Sequence, residues 1–167
     1  MNFLNSIPFD RMLWLVPVFL TIHNMEEAPF MEKWYEHLPM KLPFTVTTRQ
    51  FAIAVTFITI AGFVVTYVGV EYLANQAGHL IVLGMQAILL FNAFVPHIVT
   101  TIRFRMYSPG VISAVLIMLP FSFFLFRRAF AENIMNWNQF WIMLGIAPFA
   151  TAIIAFVSLQ IGKALDR

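Results

Sequence analysis

The chain has 167 residues, of which 60% are hydrophobic and only 11% are charged. A soluble domain of this length could not bury so many large apolar side chains, among them 19 phenylalanines, so lipid is the expected solvent. The net charge of +2 comes from scattered basic residues that form no stripe, and this argues against a nucleic-acid partner. The absence of cysteine excludes disulfides and thiolate metal sites.

Five apolar stretches approach the ~20 residues that a helix needs to cross the hydrocarbon core of a membrane. They predict an all-α fold, a polytopic integral membrane helical bundle of about five transmembrane helices, in which residues 1–167 form a single transmembrane domain. The predicted spans are 12–30, 51–70, 78–102, 111–126 and 140–161.

The first predicted span contains an ionisable cluster of His23, Glu26 and Glu27. The three residues stand at positions i, i+3 and i+4, the spacing that brings side chains together on one helix face. Charged groups at membrane depth usually face the protein interior and have a partner, such as a proton or a cation. The alternative is that the span ends near Ile22 and leaves both glutamates exposed. The segment from Met12 to Ile22 alone rises only about 16 Å, which favours a buried cluster.

The third predicted span carries Gln86, Asn92 and His97. Gln86 and His97 recur at helical spacing with Ala93, so they can share one inward-facing stripe. Pro96 removes a backbone donor and predicts a kink beside His97. The stripe is therefore a candidate to meet the cluster of the first span.

The topology places the C-terminal ends of the first and third spans on the same side of the membrane. The first span runs toward the end that carries Lys33, and the third runs toward the end that carries Arg103. His97 and the cluster are therefore expected at comparable depth. Glu71 and His79 lie toward the opposite end and are interpreted as interfacial.

Basic residues near the span ends predict the orientation, because basic loops tend to remain in the cytoplasm. With five crossings, three basic residues fall on one side and seven on the other, which predicts an outside N-terminus and a cytoplasmic C-terminus. The first group is Arg11, Arg127 and Arg128, and the second is Lys33, Lys41, Arg49, Arg103, Arg105, Lys163 and Arg167.

Two imidazoles and two carboxylates form a donor set that suits a divalent metal, with zinc favoured over iron. The predicted metal ligands are His23, Glu26, Glu27 and His97, and Glu27 or Glu26 is the predicted catalytic base. Substrate or supporting contacts are assigned to three further residues, Asn92, Gln86 and Arg103. The simpler alternatives are a hydrogen-bonded His97 in a helix interface and ordinary interfacial anchoring by Arg103.

The motif HNMEE at residues 23–27, followed by NAFVPHIVTTIRFRMYSPG at residues 92–110, resembles the HXXEE membrane protein family. The resemblance covers most of the chain. It implies a small multi-helix membrane protein and supplies no settled reaction. The turn of Tyr107, Ser108, Pro109 and Gly110 is interpreted as a tight reversal that starts the fourth helix.

Three functions are compatible with these features. The first is a membrane metalloenzyme, hydrolytic or acid–base, that acts on a hydrophobic or lipid-like substrate entering from the membrane. The second is a proton- or cation-coupled transporter or channel that uses Glu26 and Glu27. The third is a structural membrane subunit. Membrane lipid is the expected partner, and a homo-oligomer is compatible with each function.

Overall fold

The computed structural model describes residues 6–39 and 45–167, and every regular element in this part of the chain is helical. We number the helices α1 to α7 in chain order. Their bounds are α1 Phe9–Leu13, α2 Leu15–Glu27, α3 Met31–His37, α4 Thr48–Tyr72, α5 Gln76–Phe104, α6 Val111–Ala131 and α7 Trp137–Leu165.

Helices α4 to α7 are long and apolar enough to cross a membrane, with 25, 29, 21 and 29 residues. They correspond to the last four predicted spans, and each helix is four to seven residues longer than the span predicted for it. The chain is therefore an integral membrane protein with a helical bundle fold.

The first predicted span consists of two helices, α1 and α2, rather than one. Trp14 separates them but keeps right-handed helical dihedral angles, with φ −66° and ψ −18°. Together they cover the 19 residues from Phe9 to Glu27, about 28 Å of helical rise, which approaches the thickness of the hydrocarbon core. Neither helix alone has the 18 residues that α4 to α7 exceed, so the first predicted span is not among the four long apolar helices. The α-helix continues through His23 to Glu27 and buries both, so the cluster is not a solvated turn with both glutamates exposed.

Three of the helices contain π-helical turns, in which the backbone hydrogen bond spans one residue more than in an α-helix. They lie at Val68–Tyr72 in α4, Ala93–Val99 in α5 and Ala114–Met118 in α6. The turn in α5 contains Pro96, where the sequence predicts a kink, because proline cannot donate the backbone hydrogen bond.

The segment after α2 forms the short helix α3, which is anchored to the start of α4. The carboxylate of Glu32 accepts hydrogen bonds from the Thr48 backbone N–H at 2.7 Å and from the Thr48 hydroxyl at 2.8 Å. These two donors lower the pKa of Glu32 below its usual range. Lys41, one of the basic residues used for the orientation, lies outside the described residues.

The opposite end of the bundle is held by polar contacts of the N-terminal segment. Asp10 pairs with His79 at 2.8 Å, and the Trp14 indole donates to Glu71 at 3.3 Å. Arg128 donates to the backbone oxygen of Ile7 at 2.8 Å. His79 therefore contacts α1, and Glu71 contacts the residue that joins α1 to α2, at the end away from the cluster, as the topology predicts.

Helices α4 and α5 pack so closely that their backbones touch. A Cβ atom on Gly78 would lie 2.0 Å from the carbonyl oxygen of Gly69, so no other residue fits without movement of a helix. Small residues allow such approaches in membrane bundles, where helices associate through close packing.

Candidate metal centre

His23 of α2 and His97 of α5 meet in the interior of the bundle. Their Nε2 atoms lie 3.1 Å apart, and their ring planes are nearly perpendicular at 85°. Each side chain is 1% exposed. The two helices thus bring both imidazoles to one depth, as their directions predict.

Glu27 is the third member of this group. Its Oε1 atom lies 3.6 Å from Nε2 of His97, and one ligand atom from each of the three residues lies within 4.8 Å of the other two. All three residues are buried. We call His23, Glu27 and His97 the centre.

Asn92 lies next to both imidazoles of the centre. Its Nδ2 atom lies 3.3 Å from Nε2 of His23 and 3.2 Å from Nε2 of His97, so the amide can donate to either imidazole. Rotating the amide by 180° would present its carbonyl oxygen to the same space. Asn92 can therefore serve as a donor in the metal-free protein and as an oxygen ligand or acceptor when a cation is present.

Ser113 determines which nitrogen of His23 faces the centre. The Ser113 hydroxyl lies 3.1 Å from the carbonyl oxygen of Gly110 and 2.8 Å from Nδ1 of His23. When the hydroxyl donates to the carbonyl, it accepts from Nδ1, and a neutral His23 then has its lone pair on Nε2. In that tautomer the His23 lone pair points at His97, and a proton or a metal ion must separate the two nitrogens.

The turn between α5 and α6 covers both imidazoles. Gly110 has φ +87°, and a Cβ atom there would lie 2.8 Å from Cε1 of His23 and 2.9 Å from Cε1 of His97. The sequence predicts only a chain reversal at this turn. Its contact with the centre was missed because the pattern YSPG shows the backbone geometry but not what packs beneath it.

We expect Gly110→Ala to disturb the centre more than it disturbs the bundle. An alanine at this positive φ costs about 1–2 kcal/mol, and its Cβ atom would also overlap both imidazole rings. Metal affinity should fall by about 10- to 100-fold, as for changes next to metal ligands. Zinc titration of the purified protein measures this. Gly145→Ala is the matched control because its Cβ would meet nothing within 4 Å. Equal affinities in both variants would contradict the assignment.

Glu26 is not part of the centre and caps α6. Its carboxylate accepts hydrogen bonds from the backbone N–H groups of Ile112 at 3.0 Å and Ser113 at 2.7 Å, and from the Tyr107 hydroxyl at 2.7 Å. Burial and the hydrogen bond to Glu26 raise the pKa of Tyr107 to about 12. We therefore reassign Glu26 from metal binding and catalysis to capping the first turn of α6, where a negative charge stabilises free N–H groups.

Two other predicted contacts also lie elsewhere. Gln86 is buried and donates to the Ser122 hydroxyl at 2.7 Å, so it connects α5 to α6 instead of reaching the centre. Arg103 is exposed near the end of α5 and makes no polar side-chain contact with the described residues. The inward stripe is confirmed, because Gln86, Ala93 and His97 are each at most 1% exposed.

A large cavity opens from the centre into the bundle. Its volume is about 1020 Å³, and its walls come mainly from α4, α5 and α7. Glu27, Asn92 and His97 line its polar end, and Trp34 and Tyr35 of α3 line the same end. Most of the remaining surface is aliphatic or aromatic. The centre therefore faces an apolar cavity whose wall includes residues exposed at the outer surface of the bundle, such as Ile81 and Ile153.

The fold and the buried histidine–glutamate group define a multi-pass helical membrane protein with an ionisable centre between its helices. Residues 14–125 match the family model described as "Protein of unknown function with HXXEE motif". The chain belongs to this family. All members of the centre, together with Asn92, Gly110 and Ser113, fall within the matched segment.

A curated relative is the Uncharacterized protein YrkK of Bacillus subtilis (strain 168). It is 25% identical over 120 residues, which cover 72% of this chain and 75% of that protein. No solved structure matches the chain.

Proposed function

We propose that this protein is a metal-dependent membrane enzyme that acts on a hydrophobic or lipid-like substrate by hydrolysis. The observation that carries the proposal is the position of the centre. Two imidazole nitrogens lie 3.1 Å apart and a carboxylate oxygen lies 3.6 Å from one of them, and His97 and Glu27 of this group line one end of an apolar cavity.

The donor set fits zinc. Catalytic zinc sites commonly use three protein ligands, including two histidines with one glutamate, and keep one position open. Two nitrogens on a tetrahedral zinc ion are about 3.3 Å apart, close to the observed separation of the two Nε2 atoms. Iron is less favoured because di-iron carboxylate sites draw glutamates from several helices, whereas here Glu27 is the one carboxylate at the centre among the described residues.

A bound divalent metal would supply a Lewis acid and a water that ionises near neutral pH. The residues around it have separate roles. The contact of His23 Nδ1 with Ser113 orients the ring, the second oxygen of Glu27 can accept a proton, and the Asn92 amide can orient a substrate oxygen. In ester hydrolysis, the water oxygen adds to the acyl carbon and the bond to the alcohol oxygen breaks. The alcohol oxygen then takes the proton that the water released.

The distribution of acids favours an enzyme over a transporter. A proton or cation path across the membrane usually needs ionisable groups at successive depths. Among residues 6–39 and 45–167, no further carboxylate lies between the centre and the Glu71 end of the bundle. The cavity continues from the centre as an apolar space instead.

Metal content and lipid hydrolysis test the proposal together. We expect the purified protein to contain about one zinc per chain by elemental mass spectrometry. In proteoliposomes made with ester lipids, it should release fatty acid that mass spectrometry detects. Chelation should abolish the release and added zinc should restore it. A metal-free protein that shows pH-driven ion flux, lost in Glu27→Gln, would overturn the proposal in favour of transport.

We also propose that the centre lies near the cytoplasmic surface, with the N-terminus outside. Basic residues favour the cytoplasmic side of a membrane, and six of the seven on this side belong to the described residues. Two of them, Lys33 in α3 and Arg103 in α5, come soon after the residues of the centre in the chain.

Cysteine accessibility tests this orientation directly, because the chain has no native cysteine. On intact cells, a membrane-impermeant maleimide should label Asn138→Cys at the start of α7 and should spare Glu36→Cys in α3. Both positions are exposed. Permeabilised cells, in which both should react, provide the control. The reverse pattern would invert the orientation.

A further inference from the structure

The cavity has the shape of a long groove rather than a round pocket. On α5 its wall includes a stripe that recurs every four residues, namely Leu80, Gly84, Ile88, Asn92 and Pro96, together with residues adjacent to it. The stripe from Leu80 to Asn92 rises about 18 Å, and the distance to His97 is about 25 Å. The groove therefore follows most of a ~30 Å hydrocarbon core and has polar groups at one end.

Both its volume and its chemistry fit a lipid chain. A cavity of about 1020 Å³ is at the upper end of the range for small-molecule sites. Most of the polar groups that line it lie toward the end with Glu27 and His97, and Thr151 lies partway along α7. The far end is bounded by apolar side chains such as Leu80, Val65 and Met143. A molecule with one polar group at the end of a long apolar tail matches this gradient.

We propose that the groove binds one long unbranched hydrocarbon chain lengthwise, with its polar group at the centre, and that Gly84 admits the longest chains. The proposal rests on the proposed function for the reaction at the polar end, and it adds the substrate class. Long-chain fatty alcohols, fatty acids and their esters are the corresponding ligands.

Gly84 is the member of the stripe that has no side chain. A Cβ atom there would meet nothing within 4 Å, so the space beside it belongs to the groove. A phenylalanine at this position would fill that space about 12 Å from Asn92 along the helix. It should exclude chains that extend past this level and leave shorter chains unaffected.

Photolabelling tests the direction and depth of binding without any reaction. The probes are two stearyl alcohols that carry a diazirine, one at the far end of the chain and one beside the hydroxyl. They are applied to zinc-depleted protein in nanodiscs, and labelled peptides are identified by mass spectrometry. We expect the far-end probe to label α5 near Leu80 or α7 near Met143, and the hydroxyl-end probe to label α5 near Asn92.

Gly84→Phe should reduce far-end labelling at Leu80 and Met143 at least about 10-fold, a change that corresponds to 1.4 kcal/mol in binding. Binding of octyl alcohol should not change. Gly145→Phe is the matched control, since Gly145 also has open space and does not line the groove. Equal labelling of the exposed face of α6, at Leu116 and Phe123, would indicate bulk lipid only and would overturn the proposal.

The outcomes separate this inference from the proposed function. Labelling in the groove of a protein that binds no metal would support chain binding and reject the metalloenzyme. Zinc-dependent hydrolysis with labels spread over the lipid-facing surface would support the enzyme and reject the groove.

Discussion

His97→Ala should remove zinc from the purified protein almost completely. The substitution takes one of three ligand atoms from the centre, and the loss should exceed the about 100-fold reduction that follows the loss of groups next to metal ligands. His23→Ala should have the same effect, because the two Nε2 atoms share one site at 3.1 Å. Elemental analysis and competitive zinc titration measure the loss.

A histidine outside the centre provides the control. His79 pairs with Asp10 at the other end of the bundle, so His79→Ala should keep its zinc. Since each variant can also misfold, size-exclusion profiles and helical circular dichroism should match those of the native protein. If both His23→Ala and His97→Ala folded normally and kept their zinc, the centre would not be the zinc site.

The two adjacent glutamates should respond in opposite ways to the same substitution. Glu27→Gln should lower zinc affinity more than about 100-fold with little effect on unfolding, since it removes the carboxylate of the centre. Glu26→Gln should destabilise the protein by about 1–2 kcal/mol, because it weakens the capping of α6 and the favourable charge at its first turn. Zinc titration and unfolding in detergent mixtures separate the two effects.

This pair also provides an internal control, because the substitutions remove the same charge one residue apart. Glu26→Gln should retain more zinc than Glu27→Gln. If both variants lost zinc equally and unfolded equally, the division between a capping and a metal-binding carboxylate would be wrong.

The contact between His23 and His97 could be predicted from the sequence because it depends on the number and lengths of the apolar stretches. The lengths of the apolar stretches determine the number of crossings, and the number of crossings determines that the helices of His23 and His97 end on the same side. The charge of Glu27 within an apolar segment indicates burial with a partner. Each of these arguments uses only composition and spacing along one helix.

The roles of Glu26 and Gly110 depend on contacts between distant parts of the chain. The spacing of both glutamates from His23 placed them on one helix face, but neighbouring residues also point about 100° apart, and here that difference separates Glu26 from Glu27. The partner of Glu26 is the start of α6, 86 and 87 residues away in sequence, and no spacing rule identifies it. Gly110 has a role because two imidazoles lie beneath it, which only the assembled helices show.

The π-helical turn at Ala93–Val99 determines how α5 presents its polar residues. Residues five apart point in different directions on an α-helix, yet Asn92 and His97 approach to 3.2 Å because the wider turn contains one residue more. The extra residue therefore changes the angular position, around the helix axis, of every residue that follows it. Removing one residue from it would rotate His97 by about 100° relative to Gln86, so that the packing stripe and the centre could no longer face the same interior.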